Sequence, residues 1–298
     1  MAFDLVIRNA TVIDGTRAPR FQADIAVSAG KIAEIGFFGG KAKKEIDATG
    51  KIAAPGFIDA HTHDDRLMLS SPDMAPKVSQ GVTTVVAGNC GISLAPAPRG
   101  MSAPVLPPID LLDDGGAWFR FPTFRSYVEE LEAHPAATNC ALLVGHTMLR
   151  AQVMDDVGRP ANGNETGKMR AMTEEALAAG AIGVSTGLYY EPARAATTQE
   201  VIEVCRPLGA RRGIYCTHMR DEGDRVVACD QPDGHGDTFQ RERDRHRVLA
   251  AEVIGQPPEE RAREPVGDPV ERQRQRQQRK TEDHHVRQTE IRGERPHL

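Results

Sequence analysis

The sequence predicts an α/β fold on a parallel sheet, and three observations predict it. From Ile52 to His218, apolar runs of strand length alternate with stretches of helical composition. Repeated strand–helix units of this kind imply parallel strands joined by right-handed crossovers. Side chains able to do chemistry gather just past the strand ends: His61 and His63, Cys90, His146, Thr186 and His218. That face carries the active site of a (β/α)8 barrel and the ligand crevice of doubly wound sheets. No Gly-x-Gly-x-x-Gly follows the first strand, so the main signal for a dinucleotide site is missing.

Taken in order, residues 1–50 read as a small antiparallel β unit. Leu5, Ile7 and Val12 alternate with polar neighbours, the period of a half-buried strand. Asp14-Gly15 marks a turn. Strands follow at 23–27 and 32–36, joined through Ala29-Gly30-Lys31, and a fourth segment at 45–48 leads to Gly50.

Residues 51–228 form the second unit. A buried strand over 52–60 ends in a histidine pair, and a helix over 74–80 is stopped by Gly81. The strand 82–87 runs into Gly88-Asn89-Cys90-Gly91, and a Pro/Gly-rich loop extends from Ile92 to about Phe121. Thr123 is placed to N-cap a helix through Ala133. Strands at 139–144, 182–186 and 213–217 alternate with helices at 164–179 and 198–208. Five such units leave an eight-stranded barrel incomplete within residues 1–228.

Composition changes at Cys229. Between Asp230 and Leu298 stand 13 Arg and one Lys, 15 Asp plus Glu, and Phe239 as the single aromatic residue. Such a segment buries too little apolar surface to offset about 1–2 kcal/mol of backbone entropy per ordered residue. Residues 229–298 are therefore expected to be a disordered tail, with 248–254 able to form a helical turn or two. Arg-, Gln- and Pro-rich text nearly without Lys is also what a GC-rich gene yields out of frame. The expectation is a frameshift near codons 228–230, and an interaction tail is the alternative. Translating the other two frames decides: neither holding strand–helix patterns or a further His-rich motif excludes the frameshift.

Composition also bounds the function. A chain of 298 residues holds one large or two smaller domains. The net charge of -5 gives no reason to expect nucleic acid or an anionic membrane as partner. No apolar stretch approaches the roughly 20 residues of a membrane span. The start, Met1-Ala2-Phe3-Asp4-Leu5, lacks the basic and apolar regions of a signal peptide. Five scattered cysteines fit reduced thiols in a cytoplasm better than a disulfide framework.

The densest chemistry is Gly56-Phe57-Ile58-Asp59-Ala60-His61-Thr62-His63-Asp64-Asp65. In extended backbone, residues i and i+2 share a face, so His61 and His63 can close on one metal ion. Neutral imidazole suits zinc at about 2.0–2.1 Å, and carboxylates such as Asp64 and Asp65 can hold the second ring nitrogens. Cys90 offers a thiolate at the next strand end, and His218 is a third strand-end ligand. His146 is read as a supporting or substrate-contacting residue. Tyr190, beside Tyr189, is read as a hydrogen-bond donor to substrate, with plain packing of both rings as the alternative. The Arg220 fork matches a substrate carboxylate, or it forms a structural pair with Asp221 or Glu222. His235, His246, His284, His285 and His297 are read as solvated tail residues.

At these residues the chain resembles the amidohydrolase superfamily, and within it the D-aminoacylases (N-acyl-D-amino-acid deacylases). The likeness runs from Asp4 to about Val227. It is carried by the 56–65 motif, by Gly81–Gly91 ending in Asn-Cys-Gly, by Ser185-Thr186-Gly187-Leu188-Tyr189-Tyr190 and by Thr217-His218-Met219-Arg220-Asp221-Glu222. The resemblance implies a (β/α)8 TIM-like barrel of the amidohydrolase type, incomplete here, with a small β-sandwich built from both chain ends. It implies Zn2+ held by His61, His63, Cys90 and His218. It implies hydrolysis of small-molecule N-acyl-D-amino acids to a D-amino acid and a carboxylate. It also implies a further His and a general-base Asp after later strands, neither found here in its motif. Two other readings stand beside it. A dihydropyrimidinase-like cyclic-amide hydrolase needs a strand-end lysine, and neither Lys51 nor Lys77 is placed for one. The other is a non-catalytic, truncated fragment.

Overall fold

The computed structural model describes residues 3–99, 105–113 and 115–221. The 229–298 segment, its five histidines and the reading-frame expectation lie outside the described residues, as does Glu222.

The first unit is one five-stranded sheet: β1 (Phe3–Val12), β2 (Phe21–Ser28), β3 (Lys31–Gly36), β4 (Ala42–Asp47) and β5 (Ile52–Ala53). Strands β1–β2 and β2–β3 pair antiparallel, but β4 and β5 both run parallel to β1. The expected antiparallel unit is therefore a mixed sheet. The chain crosses from β3 to the far edge of β1 instead of turning back as a hairpin. Arg8 pins that crossing by donating to Phe38 O (2.9 Å), Gly40 O (2.5 Å) and Asp24 Oδ2 (2.9 Å). Ala10, Val12, Ala23, Ile25 and Ala48 form its small core.

The expected buried strand over 52–60 is instead two strands in two sheets. Pro55-Gly56 separates β5 from β6 (Phe57–Asp59). A Cβ on Gly56 would lie 2.1 Å from Thr83 Oγ1, so only glycine lets the chain pass there. Phe57 and Ile58 are 64% and 66% exposed, because β6 is the edge of its sheet among the described residues.

The second sheet is all parallel, in the order β10-β9-β8-β7-β6, with β7 (Val82–Ala87), β8 (Asn139–Gly145), β9 (Gly183–Gly187) and β10 (Ile214–His218). It curls as half a barrel. Around it lie α1 (Leu67–Ser70), α2 (Ala75–Val78), α3 (Phe124–Ala133), α4 (His146–Val153), α5 (Gly163–Ala178), α6 (Glu191–Arg194), α7 (Thr198–Cys205) and α8 (Leu208–Arg211). Phe124 and Tyr127 of α3, Met169 of α5 and Val204 of α7 pack into one core with Val85, Val144 and Val184 of the sheet. No helix among the described residues is long and apolar enough to cross a membrane.

Capping decides where the longer helices begin. Thr123 accepts the Ser126 N–H (3.1 Å), as its position suggested. At α5, Asn162 Oδ1 accepts from Asn164 and Glu165 N–H, and Glu165 Oε2 accepts the Asn162 N–H (2.8 Å). The Arg159 guanidinium, 2.7 Å from Glu165, and the Asn162 N–H hold this carboxyl down at about 2. A carboxyl lowered from about 4.3 in the unfolded chain stabilises the fold above that pH and loses the effect as pH falls toward 2. The melting-temperature gap between wild type and Glu165→Gln should thus be widest above pH 5 and close between pH 4.5 and 2. A gap independent of pH would contradict this linkage.

Candidate metal centre

Three strand ends build the centre. Past β6, the Thr62 N–H and hydroxyl both donate to Val86 O (3.0 and 2.9 Å), which pins that residue to β7. Its neighbours His61 and His63 then lie together, ring centroids 5.7 Å apart. The two histidines thus come together in non-strand backbone just beyond β6, not on one face of an extended strand as expected.

Past β7, Gly88-Asn89-Cys90-Gly91 turns tightly through φ values of 81° at Gly88, 53° at Cys90 and 76° at Gly91. A Cβ on Gly88 would stand 2.0 Å from Leu143 O, and one on Gly91 2.6 Å from Gly187 N. The loop is therefore pressed against β8 and β9. Asn89 Nδ2 donates to Val86 O (2.9 Å), and the Gly91 N–H donates to Ser185 Oγ (3.0 Å). The result is a buried Cys90 whose Sγ lies 3.2 Å from His61 Nε2. Gly88→Ala meets a backbone oxygen and a left-handed φ together. Strain of that kind costs about 1–3 kcal/mol, so the variant is expected to melt lower and retain less metal; wild-type values for both would show that the loop is not held in this way.

His218, the last residue of β10, places Nδ1 3.9 Å from Cys90 Sγ and 3.2 Å from the Tyr190 hydroxyl. Strands β6 and β10 are opposite edges of the described sheet. One thiol reaches histidines of both edges because the sheet curls.

The donors fit a zinc ion. The ligand atoms of His61, His63 and Cys90 lie within 4.8 Å of one another. His63 Nδ1 is buried and has no hydrogen-bond partner. Burial and the neighbouring His61 lower the His63 pKa, with Asp64 opposing, so the ring is neutral and its lone pair open near pH 7. Imidazole nitrogens with one thiolate suit zinc better than hard, oxygen-preferring cations.

The acidic neighbours have other tasks than the expected one. Neither Asp64 nor Asp65 holds an imidazole nitrogen. Asp64 pairs with Lys77 (2.9 Å), which also bonds Asp59 (2.8 Å). Asp65 is buried and accepts the N–H groups of Gly88 (3.1 Å) and Leu94 (3.3 Å), tying the cysteine loop to the histidine loop. Burial pushes its carboxyl up to about 6. Lys77 was not foreseen beside the centre. Burial draws its pKa down, but the two carboxylates outweigh that and raise it. Lys77 is thus an ammonium, not the neutral amine that a carboxylated lysine requires.

His146 is fully buried, with Nε2 3.1 Å from Glu200 Oε1, in a cluster with Arg150. It is enclosed in the fold instead of facing an open substrate site. Arg220 donates to the main-chain oxygens of Arg194 and of Ala196 (2.8 Å). Tyr190 sits at the N-terminus of α6 with its ring 4.8 Å from that of His218.

Comparison with known proteins identifies the family. A model of the Amidohydrolase family matches residues 44–276. The D-aminoacylase of Alcaligenes xylosoxydans xylosoxydans is 51% identical over 266 residues, 88% of this chain and 53% of that protein. The N-acyl-D-aspartate deacylase of the same organism is 54% identical over 226 residues, 75% of this chain and 45% of that protein. Among solved structures, the N-acyl-D-glutamate deacylase of Bordetella bronchiseptica, complexed with zinc and a phosphonate mimic of the reaction's tetrahedral intermediate, superposes with a TM-score of 0.75 at 38% identity, over 85% of this chain and 50% of that one. The chain spans about half the length of the curated relatives it matches.

Proposed function

This chain belongs to the amidohydrolase family, and from that premise we propose that it hydrolyses the amide bond of small-molecule N-acyl-D-amino acids, releasing a D-amino acid and a carboxylate, with zinc held by His61, His63, Cys90 and His218. The observation that carries the reading is the convergence of Cys90 Sγ with His61 Nε2 (3.2 Å) and His218 Nδ1 (3.9 Å) from separate strands. When bound, zinc supplies Lewis acidity that polarises the scissile carbonyl and acidifies a water.

The chain's own groups set the rest. Neutral His63 and the Cys90 thiol present their donors from loops tied together by Asp65 and Asn89. The Tyr190 hydroxyl, 3.2 Å from His218 Nδ1, is the candidate hydrogen-bond donor to substrate. Among the described residues no carboxylate at the centre stands ready to take a proton from water. Asp59 and Asp64 carry Lys77, and Asp65 is buried. The proton acceptor in this reading lies outside the described residues. Lys77 lies on α2 and is paired with Asp59 and Asp64 instead of standing at a strand end, which favours linear-amide over cyclic-amide hydrolysis.

The same reading places the protein in a reducing cytoplasm. The described cysteines Cys90, Cys140, Cys205 and Cys216 are all free thiols, which supports that location. It also divides the chain into two units, the backbone leaving the first sheet after Ala53 and entering the second at Phe57. Zinc analysis of the purified protein, with assays on N-acetyl derivatives of D-methionine, D-aspartate and D-glutamate, tests the proposal. Bound zinc with turnover of at least one substrate supports it; zinc-loaded protein inert on all three refutes it.

A further inference from the structure

Three alternate carbonyls just after Tyr190 are each taken by a guanidinium. Pro192 O accepts from Arg150 Nε (2.9 Å), and Arg194 O and Ala196 O accept from Arg220 (2.8 Å to the latter). The two arginines come from different elements. Arg150 lies on α4 and is fully buried; Arg220 follows His218 at the end of β10.

Arg150 is over-committed for a residue that only fills space. Its guanidinium also donates to Val157 O and Arg159 O (2.7 Å each) and pairs with the buried Glu200. Glu200 in turn accepts the Ala161 N–H (3.1 Å). One side chain thus fixes α6 to the loop before α5 and to α7. A rigid guanidinium fork can serve several carbonyls at once, which an ammonium cannot.

The held segment leads directly into the centre. Tyr190 precedes Glu191 and touches His218 with both its hydroxyl (3.2 Å) and its ring. The Leu188 N–H donates to His218 O (3.0 Å), so the segment is stitched to β10 at its other end too. At Gly187 an added Cβ would lie 2.1 Å from Cys90 O and 2.9 Å from Tyr190 Cδ2. Little space is left for Tyr190 to shift without disturbing His218 or Cys90.

We propose that Arg150 and Arg220 are positioning residues that clamp residues 190–196, and through Tyr190 set the orientation of the His218 ring toward the cation. In this role they act through Tyr190 and His218 and not on substrate or metal directly. The inference rests on the zinc-centre reading, deepening it by naming what aligns its β10 ligand.

The test uses the full chain as Arg220→Met, Arg150→Lys, Tyr190→Phe and the double variant R220M/Y190F. Hydrogen exchange in R220M should quicken about tenfold in peptides covering 190–196 while β7 and β8 stay unchanged. Zinc should pass to a chelator several-fold faster in R220M and in Y190F, and no faster in the double variant than in the faster single one, as expected for residues acting in series. R150K, which keeps a cation facing Glu200, should show the same loosening. Unchanged exchange over 190–196, or zinc-release effects that add independently in the double variant, overturns the clamp. R220M reads the clamp even if R150K does not fold. Exchange and chelator release need no substrate, so a zinc-loaded but inactive chain would refute deacylase activity while leaving this inference intact.

Discussion

Replacing Cys90 by serine is expected to strip zinc from the protein and to lower turnover of N-acyl-D-amino acids by about 10²–10⁴-fold, the equivalent of several kcal/mol of lost charge stabilisation. The thiol reaches histidines at both edges of the described sheet, His61 just past β6 and His218 of β10. A serine hydroxyl is shorter, harder and protonated at neutral pH, so it neither neutralises the cation nor spans both contacts. The backbone there is held by Gly88, Asn89 and Ser185, not by the thiol, so the variant should fold. Zinc per chain after dialysis, read beside kcat/KM, checks the outcome. Full zinc occupancy with wild-type kcat/KM in C90S would remove this residue from the centre.

The largest effect on stability is expected at Glu200. This carboxylate is 3% exposed and sits between two fully buried partners, His146 and Arg150. Burial alone would raise its pKa, but His146 and Arg150 outweigh that and hold it at about 2. Glu200→Ala leaves the Arg150 charge in the interior with its main counter-charge removed, a loss of about 3–5 kcal/mol when one member of a buried pair is deleted. At about 2–4 °C per kcal/mol for a domain of this size, the melting temperature should fall by roughly 10 °C. Glu200→Gln, which keeps an acceptor for Arg150, should fall less. Thermal melts of the two variants check the order; E200A melting within a degree or two of wild type would show that the cluster is not a keystone of the fold.

Much of this was legible in the sequence where the cause is local. The strand 82–87 and the helix from the Thr123 cap to Ala133 lie where apolar periodicity and capping chemistry put them. His61, His63, Cys90 and His218 could be grouped because chemistry collects past parallel strand ends. What escaped depends on contacts distant in sequence. The parallel placement of β4 rests on Arg8 reaching Phe38 and Gly40. Helix α4 begins at His146 behind Gly145, which has no side chain to cap it, and buries His146 and Arg150, so neither pattern nor cap announced it. Asp64 looked like a support for an imidazole, yet Lys77 claims it from α2, a helix away. Glu200 reads as an ordinary first-turn acid behind its Thr197 cap, and only the packing of α4 against it makes it an interior anion.

The curl that brings β6 and β10 to a common point has a thermodynamic corollary. In the proposed centre, a cation held by His61 and His218 would staple distant parts of the chain, parts that are far apart in the unfolded ensemble. Zinc should therefore bind the native chain far better than the denatured one, and the midpoint of thermal unfolding should climb with the logarithm of free zinc and drop on chelation.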